Sequence, residues 1–219
     1  MSESTYRTAL DLAVGALLLL AVLTVWRRQL RTLVRLLSLQ GVALAAIPVI
    51  IGTHTGDVTL TCVGGAVLLL RGGLLPWLIH RVLPAETPTG DGESFVNATA
   101  SLLAIALLTG LAYAVSRPIV ALDPSPATRA APVAIAVVLT GLFILVTRRR
   151  ALTQVIGFVV LDNGIAALAF LITAGFPLIV ELGASIDILL AVLILQVLTG
   201  RMRIKFGGTD LDQLRQLHD

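Results

Sequence analysis

Apolar runs of about twenty residues recur along almost the whole of this 219-residue chain, separated by short polar connections. A run of that length matches the hydrocarbon thickness of a bilayer. Inside hydrocarbon an unpaired backbone N–H or C=O costs several kcal/mol, so each run must satisfy its own backbone, and the α-helix does this within one segment. The chain is 57% hydrophobic and 13% charged, with a mean hydropathy of +0.95. Soluble domains carry roughly 25% charged residues. The reading is therefore an all-α, polytopic membrane protein, with too little chain left over for a soluble catalytic domain.

Seven spans are expected, at 8–25, 32–52, 57–79, 97–115, 131–147, 152–174 and 177–199. The first begins after polar Met1–Tyr6 and ends at Trp26-Arg27-Arg28. A signal peptide would place basic residues first and small residues after, so this stretch is read as a retained helix. Arg27, Arg28 and Arg31, the His80-Arg81 pair, Arg148–Arg150, and Arg201, Arg203 and Lys205 all fall on one side of a seven-span chain. The other side receives Thr53–Gly56, Ala174–Phe176 and a Pro-rich loop at Ser116–Ala130. The positive-inside rule then puts the N-terminus outside and the C-terminus in the cytoplasm. The net charge of +3 is a topology signal, since the arginines punctuate spans and form no basic domain suited to nucleic acid.

Cysteine chemistry is narrowly bounded. Cys62 stands alone, so this chain forms no internal disulfide and holds no cysteine-ligated cluster by itself. It is expected to be a small buried residue. His54, His80 and His218 are scattered without ligand spacing, so no metal or cofactor site is expected.

Two aspartates break the apolar pattern where breaking it is costly. Asp162 lies within Leu152–Ala174 and Asp187 within Pro177–Thr199. A charge at that depth costs about 2.5–3.5 kcal/mol on insertion scales, and such residues face a bundle interior or a partner. Arg71 occupies the third expected span and is followed by Gly72, Gly73 and Pro76, a run that should loosen the helix where its backbone is buried in protein or faces a cavity. Removal from water disfavours the charged form of a carboxylate unless a cation is near. Two outcomes follow: an aspartate that takes up and releases protons, or one held ionised by Arg71. A static polar clamp between helices is the plainer alternative. Glu181 lies six residues before Asp187, well round the helix from it, and suggests an interface or exit role near the outer end. Gly157 and Gly183 read as sites of close helix packing, and Asn163 as a hydrogen-bonding neighbour of another helix.

An offset of 122 superposes two stretches, placing Arg27 and Arg28 on Arg149 and Arg150, Leu30 on Leu152, Leu39 on Leu161, and Gln40 on Asp162. Each stretch is preceded by one span and followed by two. This suggests tandem three-helix units over 1–83 and 131–204, a connecting loop and helix over 84–130, and a polar tail over 205–219. A three-span unit reverses the chain, and the fourth span restores its direction so that the two units lie parallel. Chance likeness between leucine-rich helices is the alternative.

The run Gly157-Phe-Val-Val-Leu-Asp162-Asn163-Gly164 resembles the Gly-x-x-x-(Met/Leu)-Glu-Asn-Gly run of hydrogenase-4 component E, a membrane subunit of formate hydrogenlyase-type complexes. Glu181-Leu-Gly-Ala-Ser-Ile-Asp187, with its apolar, basic and Leu-rich sequel, is similar as well. The last three expected spans also resemble two small membrane proteins, the K subunit of respiratory complex I and the C component of Mrp-type antiporters. The resemblance implies a non-catalytic membrane-arm subunit that holds no cofactor, with Asp162, Asp187, Arg71 and Glu181 contributing to a proton or cation path. Its partners would be antiporter-like and quinone-reductase-like or hydrogenase-like subunits. Asp replaces the usual Glu at 162, Arg71 stands where a lysine is usual, and Gln40 is neutral where the K subunit has an acid. A pure scaffold role, or membership of an Mrp-type cation/proton antiporter, stays open.

Overall fold

The computed structural model describes residues 1–27, 29–82, 97–148 and 151–173. Every regular element among them is helical: α1 (Glu3–Trp26), α2 (Leu30–Thr55), α3 (Val58–Val67), a π-helical segment (Leu68–Leu74), α4 (Leu75–Val82), α5 (Ala98–Val115), α6 (Arg117–Leu122), α7 (Pro126–Thr147) and α8 (Ala151–Thr173). With α3 to α4 read as one rod and α6 as an extension of α5, six helices among the described residues are long and apolar enough to cross a membrane. The protein is a helical membrane protein. The expected span 177–199, the loop before α5 and the polar tail lie outside the described residues.

Local chemistry sets the boundaries. Ser2 caps α1, its Oγ accepting from Thr5 N at 3.3 Å. Gly56, with φ of 76°, ends α2 in the left-handed conformation that glycine adopts without steric cost. Asp57 follows at once as the cap of α3, accepting from Leu60 N at 3.2 Å. Gly-Asp is thus a complete helix-to-helix turn.

The Pro-rich stretch 116–130, expected as a loop, is mostly helical. Pro118 and Pro126 sit in the first turns of α6 and α7, where a missing N–H breaks no intrahelical bond. Ser125 caps α7 through Thr128 N at 3.2 Å, so only Ser116 and 123–125 remain outside helices. α7 therefore begins five residues before the expected span.

The helices build a bundle that is apolar inside and outside. α7 and α8 form the closest pair, α1 packs on α2 and α7, and α2 touches α3, the π segment and α8. Leu17, Ala21, Leu44, Ile47, Val137 and Phe170 fill the interior. Leu19, Val42, Leu69, Leu107, Leu142 and Ile165 project outward from positions well inside their helices. A soluble protein does not tolerate such a surface over most of its girth, whereas lipid tails solvate it. α5 is peripheral, with 17% of its apolar window buried.

Cys62 lies on this outer surface and not in the core. The inner face of α3 is carried by Leu60, Val63, Gly64 and Val67. In a membrane helix both faces are apolar, so composition does not say which one points inward.

Candidate functional site: an intramembrane ion pair

The Arg71–Gly73 break is a π segment seven residues long. Leu75 N donates to Leu70 O, five residues back, which is the π pattern. Pro76 has no N–H to offer the Gly72 carbonyl in a regular helix. The Ser38 hydroxyl of α2 supplies the missing donor, at 2.5 Å from Gly72 O. Ser and Thr side chains on neighbouring helices commonly satisfy backbone groups freed in this way.

Contact between α2 and the π segment depends on a glycine. A Cβ on Gly41 would stand 2.5 Å from the Arg71 carbonyl oxygen and 2.5 Å from Gly72 N, so no side chain fits there. α7 and α8 use the same device: a Cβ on Gly164 would meet Val138 N at 2.6 Å, and one on Gly157 would meet Leu145 N at 2.9 Å. The close-packing role expected for Gly157 is what the geometry shows. These approaches bring α2, the π segment and α8 together around one point at mid-height.

At that point Arg71 is buried, its side chain 2% exposed, and its Nη1 forms an ion pair with Asp162 Oδ2. Asp162 stands at the middle of α8 and its side chain is 15% exposed. The same Nη1 donates to Asn163 Oδ1 at 3.0 Å, and Asn163 Nδ2 donates to Gln40 Oε1 at 3.3 Å. Gln40 is fully buried and Asn163 is 1% exposed. The order of the chain has a physical cause. A guanidinium carries donors only, so it turns the Asn163 oxygen toward itself and the Asn163 amide toward Gln40. Gln40 Nε2, at the far end, is buried without an acceptor among the described residues.

Of the expected site residues, the structure thus brings Arg71 and Asp162 into direct contact. Asp187 and Glu181 lie outside the described residues. Gln40 and Asn163 were legible only as a divergent position and a hydrogen-bonding neighbour, yet both are members of the network. The available signal was their polarity at mid-span, which matches the depth of Arg71 and Asp162. Among the described residues no three His, Cys, Asp or Glu side chains gather as a metal site. The arrangement is suited to holding one ionised carboxylate in an apolar interior and to responding if that charge is neutralised.

The fold and site define a polytopic helical membrane protein with a buried arginine–aspartate pair bridging the third and sixth expected spans. The chain is 52% identical over 220 residues to "Uncharacterized protein Rv0085" of Mycobacterium tuberculosis, with 100% of both chains covered, and it belongs to that protein's family. No family model and no solved structure matches it.

Proposed function

We propose that this chain is a non-catalytic membrane-arm subunit of a hydrogenase-4 or formate hydrogenlyase-like, complex I-related assembly, in which Asp162 belongs to a proton or cation path. The observation that carries the reading is the Arg71–Asp162 pair, buried at mid-height and extended by Asn163 and Gln40. Proton arrival at Asp162 removes the negative partner and leaves Arg71 charged in an apolar setting, which is costly. The pair therefore links carboxylate occupancy to the position of the π segment, whose turn carries Arg71. Asp187 would continue the path in the seventh span. The N-terminus would lie outside, with the basic helix ends cytoplasmic.

Two further contacts support a tandem, parallel arrangement. Asn163–Gln40 and Arg148–Val25 each join residues 123 apart, one away from the repeat offset of 122. Residues beside a two-fold axis meet near-counterparts of themselves, and here α2 meets α8 and α1 meets α7.

A static clamp is the second reading. It is favoured by the neutralisation of Asp162 by Arg71 within the chain itself, which fixes helix register without requiring proton movement. Asp162→Asn separates the two. In inverted membrane vesicles the proposal expects substrate-driven proton uptake to fall on the order of tenfold or more, the scale of losing a proton-transfer group. The copurifying subunits should be unchanged by mass spectrometry. Normal uptake with weakened assembly would establish the clamp, and recovery of the wild-type chain without redox subunits would remove the assembly proposal.

A further inference from the structure

A second site begins beside the Ser38–Gly72 contact, between Ser38 and Gly73, and opens toward one end of the bundle. An open cleft of about 360 Å³ runs between the first half of α2 and the start of α4, lined by Arg31, Arg35, Ser38, Pro76 and Trp77 among others. Arg31 and Arg35 stand one turn apart on α2, and both are exposed. Neither has a carboxylate partner among the described residues. Their position is electrostatically adverse, because α2 begins at Leu30 and its N-terminal end already carries partial positive charge. Gln29, the residue before the helix, makes no capping hydrogen bond with its side chain. An anion in the cleft offsets all of these at once.

The surroundings say what kind of anion. Trp26 and Trp77 are each 54% exposed at this end of the bundle, and each lies against an arginine: Arg27 at 5.5 Å and Arg81 at 5.4 Å from the ring centroids. Half-exposed tryptophans beneath arginines mark the headgroup level of a bilayer. Pro76 and Trp77 give the cleft an apolar wall, and Leu39 and Leu74, the next residues after Ser38 and Gly73, are exposed toward the lipid. The guanidinium fork matches the oxygens of a phosphate, and basic pockets between membrane helices hold anionic headgroups. We propose that this cleft binds the phosphate of an anionic phospholipid, with Arg31 and Arg35 on the headgroup and Pro76 and Trp77 against its glycerol and acyl carbons. The site does not depend on the transport role proposed for Asp162.

The test uses Trp77 as the reporter. In a Trp26→Phe background it is the sole tryptophan, and the full chain is placed in phosphatidylcholine vesicles. Acyl-brominated phosphatidylglycerol should quench Trp77 with an apparent preference on the order of tenfold over brominated phosphatidylcholine, the scale expected from two arginines near an anionic surface. The double variant Arg31→Gln/Arg35→Gln should lose the preference, while Arg7→Gln/Arg117→Gln, at the other end of the bundle, should keep it. Both cleft arginines are exposed, so the variants should retain the wild-type helical circular dichroism. Equal quenching by the two lipids would overturn the site, as would a preference that survives the cleft variant or vanishes in the control. If millimolar inorganic phosphate abolishes the preference while chloride at equal ionic strength does not, the occupant is free phosphate and the lipid assignment fails.

Discussion

The centre of the bundle and its basic end use the same side chain in opposite ways. At the centre, Arg71 is 2% exposed and answered by Asp162, Asn163 and the chain to Gln40. At the end, Arg31 and Arg35 are exposed and have no carboxylate within the described residues, while Arg27 and Arg81 lie on tryptophan rings. Depth explains the contrast. A guanidinium at the headgroup level keeps its hydration and is paired loosely or by mobile ions. One at mid-height has no water to return to, so its partner must be built into the fold. Charge in this protein is therefore answered within the fold at the centre and left open to solvent and ions at the end.

The largest test of that contrast removes the partner at the centre. Asp162→Leu leaves Arg71 buried and unpaired and should destabilise the protein by about 3–5 kcal/mol in denaturant unfolding from mixed micelles. Adding Arg71→Met should restore most of the loss, since an apolar pair of similar volume is often neutral or better. A double variant as unstable as the single one would show that the pair is not what holds these helices together. Next in size is Gly41→Leu, which drives a side chain into the Arg71–Gly72 backbone. It should cost about 1–3 kcal/mol and move α2 away from the π segment. Spin labels on the outward Leu39 and Leu69 would report a longer separation, and an unchanged distance would mean that the contact accommodates a side chain. The smallest effect belongs to the other region. Arg35→Gln should change stability by no more than about 0.5 kcal/mol, and a loss as large as that of Asp162→Leu would erase the distinction between the centre and the basic end.

Much of this architecture is legible in the amino-acid sequence. The length of the apolar runs located six of the helices, and Asp162 and Arg71 stood out because their type is costly at their depth. The Arg71-Gly-Gly-x-x-Pro run signalled a break, which takes the form of a π segment secured by Ser38. Other features were hidden for definite reasons. Prolines at 118 and 126 looked like loop residues because the sequence does not show whether a proline opens a helix or interrupts one. Cys62 looked buried because the two faces of a membrane helix are equally apolar. Gln40 and Asn163 lie 123 positions apart, and nothing local ties one to the other.

Helical membrane architecture, the basic end of the bundle and the mid-span side chains that demand a partner are all written in the linear chain. These follow from transfer free energies, which depend on each segment alone. The identity of that partner comes from the packing of the helices. That packing requires Gly41 to admit the π segment beside α2 and Gly164 to admit α7 beside α8, so that Arg71, Asp162, Asn163 and Gln40 meet at one depth. Lipid tails are as apolar as leucine and impose no choice of neighbour, so close backbone approach and buried hydrogen bonds settle how the helices assemble.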